Sequence, residues 1–315
     1  MTRFLTVGAA QMGPIQRSHS RRDVVERLIA HLREARRMGC DLVVFPELTL
    51  TTFFPRWWMQ DQAEVDSFFE QEMPSNETAA LFNEAKRLSM GFCLGYAELV
   101  NEDGRIRRFN TSILVERDGS IVGKYRKVHL PGHSEHEPER PFQHLEKRYF
   151  EVGNLGFPVV RAFGGNIGMC ICNDRRWPET YRMMGLQGVE MIMLGYNTPA
   201  TEPPWGFEPT HLAGLHNNLS MQSGAYQNAT WVIGVAKAGR EEGCDMLGGT
   251  LIIAPTGEIV AQGRTLDDEL VVADCDLDAC NHYKNTVFNF AEHRQPDQYG
   301  LITKTAGVIL PPLKR

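Results

Sequence analysis

The sequence predicts an α/β protein, because short apolar strands alternate along the chain with amphipathic helices. A strand over residues 4–10 leads into a helix over residues 20–38, whose apolar residues recur at helical spacing, and then into a buried strand over residues 41–47. The alternation returns in the second half, where a strand over residues 167–171 is followed by a helix that begins near Pro178. Proline is tolerated in the first turn of a helix, so its position fits this boundary.

The remaining elements are predicted from the same periodicities and from turn residues. Asp118-Gly119 is the turn of a predicted hairpin, and Pro255-Thr256-Gly257 is a turn between two later strands. The further strands are predicted over residues 91–100, 109–117, 120–129, 189–197, 230–236, 250–254, 258–262 and 270–274, and the further helices over residues 76–89 and 211–227. No linker rich in proline, glycine and serine and no internal repeat divides the chain, so we predict one domain over residues 1–315.

The composition is that of an ordinary globular protein and argues against several functional classes. The chain has 315 residues, of which 42% are hydrophobic and 23% are charged, so it can bury a large core. Its formal net charge is −6 and its basic residues are scattered among acidic ones, so we predict no nucleic-acid partner. No apolar run approaches about 18 residues and no signal peptide pattern is visible, so we predict no membrane span. The odd number of seven cysteines, spread through a chain longer than typical disulfide scaffolds, favours a reducing compartment, and we expect a cytoplasmic protein.

The chemistry is predicted to centre on Cys172, which ends an apolar strand and precedes a polar turn with two arginines. A side chain at such a corner points outward at the end of the sheet, and the next backbone N–H groups point to the same space. One turn can therefore supply a nucleophile and oxyanion donors. The positive field of Arg175 and Arg176 is expected to lower the pKa of the thiol and to favour the thiolate. Most cysteines instead behave as small buried hydrophobes, which is our interpretation of Cys170.

Two charged residues follow other predicted strands and join Cys172 in a candidate site. Glu47 comes directly after Pro46, at the end of a strand where a parallel sheet presents its ligands. Lys127 lies near the far end of the predicted hairpin. An isolated glutamate is usually a solvated surface residue, but the position of Glu47 at a strand end favours a functional role.

A polar loop over residues 130–151 is too long for an ordinary connection and is predicted to be functional. Four histidines lie in or beside it, namely His129, His133, His136 and His144. They lack the His-Glu-x-x-His spacing of a helical zinc site, and Cys-x-Cys at residues 170–172 lacks a second ligand pair, so we predict no metal. His144 is instead expected to hydrogen-bond with Glu146, because a carboxylate can fix the tautomer of an imidazole.

Three segments carry a resemblance to a known family, and their order and separation match it as well. Phe45-Pro46-Glu47, residues 125–130 (Tyr-Arg-Lys-Val-His-Leu) and residues 170–179 (Cys-Ile-Cys-Asn-Asp-Arg-Arg-Trp-Pro-Glu) resemble the signature segments of the nitrilase superfamily of carbon–nitrogen hydrolases. More narrowly, four further segments look like the N-carbamoyl-D-amino acid amidohydrolase branch, namely residues 51–57, 108–112, 141–150 and 195–199. The resemblance covers nearly the whole chain.

This resemblance implies a four-layer α-β-β-α sandwich, in which two stacked sheets carry helices on their outer faces. It also implies a homodimer or homotetramer that assembles through its helix layers and through exchanged C-terminal tails. The aperiodic segment from about residue 281 to residue 315 fits such an extended arm on a neighbouring subunit. No metal or cofactor is implied.

The resemblance further implies a role for each of four catalytic residues. Cys172 attacks the carbonyl carbon, Glu47 serves as general base and then as general acid, and Lys127 supports the tetrahedral oxyanion. Glu146 is implied near this triad, where it positions Lys127 or the substrate. A urea-like carbonyl is a poor electrophile, so it needs a sulfur nucleophile and a charged donor at the place where negative charge develops.

The implied substrate is a small N-carbamoyl-D-amino acid, hydrolysed to the D-amino acid, ammonia and carbon dioxide through a covalent Cys172 acyl-enzyme. Arg175 and Arg176 match the carboxylate-binding pair of the family, since guanidinium groups grip a carboxylate through parallel hydrogen bonds. The segment over residues 199–205 is implied to shape the pocket for the substrate side chain. The other predicted substrate-binding residues are His129, His144, Asn173, Asn197 and Thr198.

Two alternatives stay open at this point. Another reaction of the same superfamily, such as that of a β-ureidopropionase-like enzyme or an aliphatic amidase, would use the same triad on a different substrate. A protein that keeps this fold as a non-catalytic scaffold would need neither the reactive thiol nor the arginine pair.

Overall fold

Two six-stranded β-sheets, stacked face to face, form the centre of the computed structural model, which describes residues 2–140, 142–200 and 210–313. The strands are β1 Phe4–Gln11, β2 Leu42–Val44, β3 Gly91–Glu102, β4 Arg105–Val115, β5 Ile121–Arg126, β6 Val159–Ala162, β7 Gly165–Ile171, β8 Met191–Tyr196, β9 Trp231–Ala236, β10 Ala238–Glu241, β11 Cys244–Leu247, β12 Leu251–Ile253, β13 Ile259–Gln262 and β14 Glu269–Asp276. The helices are α1 Arg21–Arg37, α2 Gln62–Asp66, α3 Ala79–Leu88, α4 Glu146–Tyr149, α5 Pro178–Gly185, α6 Ala213–Asn228, α7 Cys280–Lys284, α8 Phe290–His293 and α9 Gly300–Lys304. Short 3₁₀ turns lie at Phe54–Arg56, Cys172–Arg176, Thr210–Leu212, Leu277–Ala279 and Pro296–Gln298.

Each of these sheets has a parallel centre and antiparallel edges. The first sheet has the order β14-β1-β2-β3-β4-β5, with β1, β2 and β3 parallel to one another. The second has the order β13-β12-β9-β8-β7-β6, with β7, β8 and β9 parallel. Helices connect the parallel strands, because two residues cannot span a parallel crossover, whereas tight turns connect antiparallel strands that are consecutive in the chain, such as β3 and β4. Asp103 and Gly104 form such a turn between β3 and β4, and both have the positive φ that a two-residue hairpin favours.

The helices lie on the outer faces of the two sheets. Val7 of β1, Met169 of β7 and Met221 of α6 belong to one large apolar cluster, to which both sheets contribute. Leu28 of α1 and Phe82 of α3 pack in a second core against the outer face of the first sheet. The predicted four-layer α-β-β-α sandwich is therefore confirmed.

Helix α1 shows how local sequence sets an element of this fold. Ser20 caps the helix by accepting a hydrogen bond from the backbone N–H of Asp23, whose side chain accepts one from the backbone N–H of Ser20 in return. Val24, Leu28 and Leu32 then recur at helical spacing and are fully buried or nearly so against the first sheet. In the described part of the chain, no helix combines the length and the apolar character that a membrane span requires.

The predicted elements lie close to their predicted bounds, but the structure adds strand β6, helix α4 within the predicted loop, and a hairpin that the sequence pattern did not indicate. Strands β10 and β11 have four residues each and are joined by Glu242-Gly243, both with positive φ. Their sequence mixes charged and apolar residues without a period of two, so periodicity gave no signal. The segment beyond residue 281 contains short helical turns as well as extended chain.

The end of the described chain exposes apolar side chains. Ile309, Leu310 and Leu313 are 70%, 80% and 95% exposed, which fits the predicted contact with a neighbouring subunit. Replacing both Ile309 and Leu310 by aspartate is expected to lower the assembly state measured by sedimentation equilibrium, because an apolar interface disfavours buried carboxylates. The control is Ser18→Asp, at an exposed polar position outside this segment. An unchanged assembly state in the double variant would contradict a role for the tail.

Candidate active site

Four segments that leave the sheets at strand ends converge on one buried polar cluster. Glu47 follows β2 and Lys127 follows β5 in the first sheet, while Cys172 follows β7 and Asn197 follows β8 in the second. All four side chains are almost completely shielded from solvent. Because the sheets are stacked, residues from both sheets meet at these strand ends.

The carboxylate of Glu47 is held by three donors. Its Oε1 accepts hydrogen bonds from Lys127 Nζ at 2.7 Å and from Asn110 Nδ2 at 2.8 Å, and its Oε2 accepts one from the backbone N–H of Asn197 at 3.0 Å. The side-chain amide of Asn197 also donates to the backbone carbonyl of Glu47 at 3.0 Å. These contacts fix the orientation of Glu47 and compensate its burial.

The backbone of Glu47 runs between two glycines, one from each sheet. A Cβ atom on Gly95 of β3 would lie 2.6 Å from the carbonyl oxygen of Pro46, and one on Gly195 of β8 would lie 2.4 Å from the backbone nitrogen of Glu47. Neither distance is compatible with a side chain, so a larger residue at either position would displace this segment. The two glycines therefore allow the close approach that places Glu47 in the site.

Lys127 bridges two carboxylates. Its Nζ donates to Glu47 Oε1 at 2.7 Å and to Glu146 Oε2 at 2.6 Å, and none of the three side chains is exposed. Burial alone would lower the pKa of Lys127, but the charges of Glu146 and Glu47 raise it above its ordinary value, so the group is an ammonium. Burial raises the pKa of Glu146, but Lys127 and His144 lower it by more, so it is ionised. The expected contact of His144 is present, with its Nε2 3.0 Å from Glu146 Oε1.

Cys172 has a strained backbone at the corner between β7 and the following 3₁₀ turn. Its φ is +48°, which is uncommon for a residue with a side chain. The thiol lies 3.7 Å from the carbonyl oxygen of Asn197, and Nη1 of Arg175 lies 3.7 Å from the sulfur. The turn thus presents the sulfur toward the end of β8 and beside a cation.

Asp174 fastens this turn to the segment that carries Lys127. Its Oδ2 accepts hydrogen bonds from the Tyr125 hydroxyl at 2.7 Å and from the Ile171 backbone N–H at 3.0 Å. Its Oδ1 accepts one from the backbone N–H of His129 at 3.0 Å and lies 2.8 Å from the Nδ1 of the same residue. Asn173 donates to the His129 carbonyl at 3.0 Å. These contacts link the two sheets next to the cluster, and substrate binding by His129 and Asn173 stays a prediction.

The resting form of Cys172 is the thiol. Burial and the negative charge of Glu47 raise the pKa of this thiol to about 11, although the cations Lys127 and Arg175 act in the opposite direction. Arg175 therefore acts in the predicted direction, but burial and Glu47 outweigh it, so the predicted thiolate is not the resting form. Arg176 is exposed to solvent, so only one member of the pair is buried beside the sulfur. If Cys172 is the nucleophile as predicted, a base must remove its proton during attack.

The two adjacent arginines occupy different environments. Arg175 is 2% exposed and donates through Nη1 to the Cys172 carbonyl at 2.6 Å and through Nη2 to Thr198 Oγ1 at 2.9 Å. Its guanidinium carbon lies 4.6 Å from the ring centre of Tyr196. Its Nε has no hydrogen-bond partner among the residues that the structure describes. Arg175 therefore places a fixed cation next to the predicted nucleophile, and its Nε is available to donate a further hydrogen bond.

The other histidines of the long loop lie outside this cluster. The backbone N–H of His133 donates to the carbonyl of His144 at 2.9 Å, and the ring of His136 stacks on Trp58 at 4.6 Å. Over the described ranges, no group of three or more His, Cys, Asp or Glu side chains is arranged to hold a metal ion.

The segment implied to shape the pocket for the substrate side chain is described only in part. Its first residues, Pro199 and Ala200, pair with β11 through an isolated bridge and a backbone hydrogen bond of 2.7 Å to Asp245. Pro141 and residues 201–209, which include Glu202 and Trp205, lie outside the described residues.

Comparison with known proteins decides the family. Residues 6–285 match the sequence model of a family described as carbon–nitrogen hydrolase. The chain belongs to this family. It is 29% identical to an N-carbamoylputrescine amidase of Oryza sativa subsp. japonica over 96% of each chain, and 29% identical to a nitrilase of Pyrococcus abyssi over 87% of this chain and 90% of that protein. Its fold is similar to that of the carbon–nitrogen hydrolase from Helicobacter pylori G27, with a TM-score of 0.81 and 22% identity over 96% of this chain and 99% of the other.

Two residues of this carbon–nitrogen hydrolase were missed as site residues by the sequence reasoning. Asn110 binds Glu47 through its side chain and accepts a hydrogen bond from the backbone N–H of Lys127 at 2.8 Å, so it links the two. Asp174 links the turn of Cys172 to the end of β5. Both residues lie inside segments that carry the family resemblance. Spacing alone did not indicate that their side chains face the cluster.

The raised pKa of Cys172 predicts a steep pH dependence of its alkylation. Iodoacetamide reacts with the thiolate, whose fraction grows about tenfold per pH unit below the pKa. Because that pKa is about 11, the alkylation rate at Cys172 is expected to rise without a plateau between pH 7 and pH 9, measured by peptide mass spectrometry. Arg175→Gln is expected to slow the reaction, since it removes a cation that lowers the pKa, and Cys172→Ala gives the background. A rate that levels off below pH 8 would contradict the prediction.

The close approach at Gly195 predicts that even one methyl group is harmful there. Gly195→Ala is expected to lower the free energy of unfolding by about 1–3 kcal/mol through overpacking, and to reduce turnover because Glu47 is displaced. Urea denaturation and ammonia release measure the two effects. Gly214→Ala in α6 is the control, since a Cβ there meets nothing within 4 Å and alanine favours the helix by about 1 kcal/mol. Equal stability and activity of the two variants would argue against the constraint.

Proposed function

We propose that this hydrolase cleaves N-carbamoyl-D-amino acids to the D-amino acid, ammonia and carbon dioxide. One observation supports an anionic substrate above all others. The buried guanidinium of Arg175 lies 3.7 Å from the sulfur of Cys172 and donates to Thr198. A carboxylate next to the carbamoyl nitrogen would reach this cation while its carbonyl carbon meets the sulfur.

The D configuration rests on the narrower resemblance. Residues 51–57, 108–112, 141–150 and 195–199 look like the corresponding segments of N-carbamoyl-D-amino acid amidohydrolases. Three of these segments supply contacts to the cluster, through Asn110, Glu146 and Asn197.

In the proposed first half-reaction, the sulfur of Cys172 bonds to the carbamoyl carbon while the thiol proton passes to Glu47. Lys127, an ammonium held by two carboxylates, donates to the oxygen on which negative charge develops. The tetrahedral intermediate then collapses, and one carbon–nitrogen bond breaks as the departing nitrogen takes the proton from Glu47. A thioester-like acyl-enzyme remains on Cys172.

In the proposed second half-reaction, Glu47 takes a proton from water as the water oxygen bonds to the acyl carbon. Collapse breaks the carbon–sulfur bond, and the sulfur recovers its proton from Glu47. The released carbamic acid decomposes to carbon dioxide and the second nitrogen product. The sequence consumes one water and leaves the enzyme unchanged, and none of its steps requires a metal or cofactor.

A second candidate is N-carbamoylputrescine, because relatives with 28–29% identity are N-carbamoylputrescine amidases. That substrate carries an ammonium at neutral pH rather than a carboxylate. The fixed charge of Arg175 beside the nucleophile would repel it, which is why we prefer the anionic substrate. N-carbamoyl-β-alanine and simple amides represent the remaining alternatives.

The test compares ammonia release from D- and L-N-carbamoyl amino acids, N-carbamoyl-β-alanine, N-carbamoylputrescine and an aliphatic amide. Turnover of the D forms is expected, with loss of activity in Cys172→Ala and a fall of roughly 10²–10³ in kcat when Lys127→Met removes the oxyanion donor. Turnover of N-carbamoylputrescine in preference to the acids would reverse the choice of substrate.

The role of Arg175 has its own matched test. Arg175→Gln is expected to raise the KM of an N-carbamoyl-D-amino acid roughly 10- to 150-fold, since hydrogen bonds to charged groups contribute about 1.5–3 kcal/mol. The carboxamide analogue of the same substrate has no negative charge and is the control. A similar rise of KM for both substrates would show that Arg175 supports the turn of Cys172 rather than binding the carboxylate.

A further inference from the structure

A second buried ion cluster lies close to the active site and has no part in the mechanism above. Glu241 at the end of β10 is unexposed, and its Oε1 accepts a hydrogen bond from Arg56 Nη2 at 2.7 Å. Lys237, which follows β9 and is equally buried, has its Nζ 3.4 Å from Glu241 Oε2. Burial raises the pKa of Glu241, but Lys237 and Arg56 lower it by more, so it is ionised.

The carboxylate of Glu241 binds several groups of residues 52–56, the segment that follows Glu47 in the chain. Its Oε1 also accepts hydrogen bonds from the backbone N–H of Phe53 at 2.7 Å and from Thr52 Oγ1 at 3.1 Å. Arg56 closes the segment on itself, since it donates to the Phe53 carbonyl and to the Glu241 carbonyl, each at 2.9 Å. The conformation of the segment therefore depends on a charge supplied by β10.

The same segment supports the residues that lead into Glu146. The backbone N–H of Leu145 donates to the Pro55 carbonyl at 2.8 Å, and that of Gln143 donates to the Arg56 carbonyl at 2.9 Å. Two successive carbonyls that Glu241 helps to place thus hold the chain on either side of His144. The position of Glu146 follows from this pairing.

An aromatic contact reinforces the connection. The ring of Phe53 meets the ring of His144 edge to face, with centres 5.7 Å apart. His144 in turn bonds Glu146, and Glu146 holds Lys127 at 2.6 Å. An unbroken series of contacts therefore runs from Glu241 to the ammonium of the active site.

We propose that Glu241 is a positioning residue for catalysis, acting through Arg56 and Phe53 to set the places of Glu146 and Lys127. The inference rests on the proposed mechanism, in which Lys127 supports the oxyanion. If Glu241 lost its negative charge, Arg56 would remain buried without a counter-charge. A buried charge that loses its partner is strongly unfavourable. The segment that contains Phe53 and Arg56 would then move. Lys127, the oxyanion donor, would leave the position where negative charge develops in the transition state.

The proposed substrate anchor is held by the main chain of the same β10–β11 hairpin. Thr198, which binds Arg175, is held by the backbone N–H of Leu247 in β11 at 2.8 Å. That contact is between main-chain groups and does not use the side chain of Glu241. Loss of the Glu241 charge should therefore affect kcat much more than KM.

The test compares Glu241→Gln with Glu190→Gln. Glu190 is also a buried carboxylate bound to an arginine, Arg3, at 2.6 Å, but it lies before β8, at the opposite end of the strand from the active site. Both variants are expected to unfold at lower urea concentration than wild type. Only Glu241→Gln is expected to lose kcat, about tenfold or more, with KM within twofold of wild type, on whichever substrate the wild type turns over.

Crystal structures of the two variants provide a readout that needs no turnover, and displacement of Lys127 is expected only in Glu241→Gln. Unchanged kcat in folded Glu241→Gln, an equal loss in both variants, or an unmoved Lys127 would overturn the proposal. A wild type inactive on N-carbamoyl substrates but active on amides would refute the proposed function alone. If Glu241→Gln does not fold, Arg56→Lys is the second variant, because it keeps the positive charge but loses the guanidinium contacts to Phe53 and Glu241. A loss of kcat with little change in KM would support the proposal, and an unchanged kcat would overturn it.

Discussion

The ammonium of Lys127, buried between the carboxylates of Glu47 and Glu146, is the interaction on which the rest of the site depends. Three charges without exposure to water are tolerable only if each one keeps its partners in place, because a buried charge that loses its partner costs about 3–5 kcal/mol. The surrounding contacts supply this fixation. Asn110 and Asn197 hold Glu47, and His144 holds Glu146. Both sheets are thereby tied to one electrostatic centre.

The same burial controls the ionisation of Cys172, the proposed nucleophile. It raises the pKa of Cys172 to about 11, so the sulfur rests as a neutral thiol and adds no further charge to the cluster. Attack then requires a base at the same place, and Glu47 is the negative charge that contributes most to the raised pKa. Burial and the Glu47 carboxylate together keep the thiol protonated at rest, and the same carboxylate takes the proton in the proposed reaction. The glycines Gly95 and Gly195 make this arrangement sterically possible.

Much of the fold and the position of the site could be predicted because strand ends are local features. Buried strands before Glu47 and Cys172 and the hairpin before Lys127 are visible as short patterns, and each was found close to its predicted bounds. The hairpin of β10 and β11 was not predicted, because its strands have no period of two and depend on pairing for their shape. Its buried residue Glu241 was missed with it. Strands are predicted from apolar residues at buried positions, so a strand that buries a charged residue gives a weaker signal.

The sequence by itself determined the order of the elements, the residues that end the central strands, and the segments that mark the family. Only the tertiary structure decided which charged groups face each other. It buries Arg175 beside the sulfur and leaves its neighbour Arg176 in solvent, and it turns the expected acidic thiol into a weakly acidic one. Periodicity and turn propensity are properties of neighbouring residues. Desolvation and the field of a charge depend instead on groups that are distant in the chain and meet only when the two sheets pack.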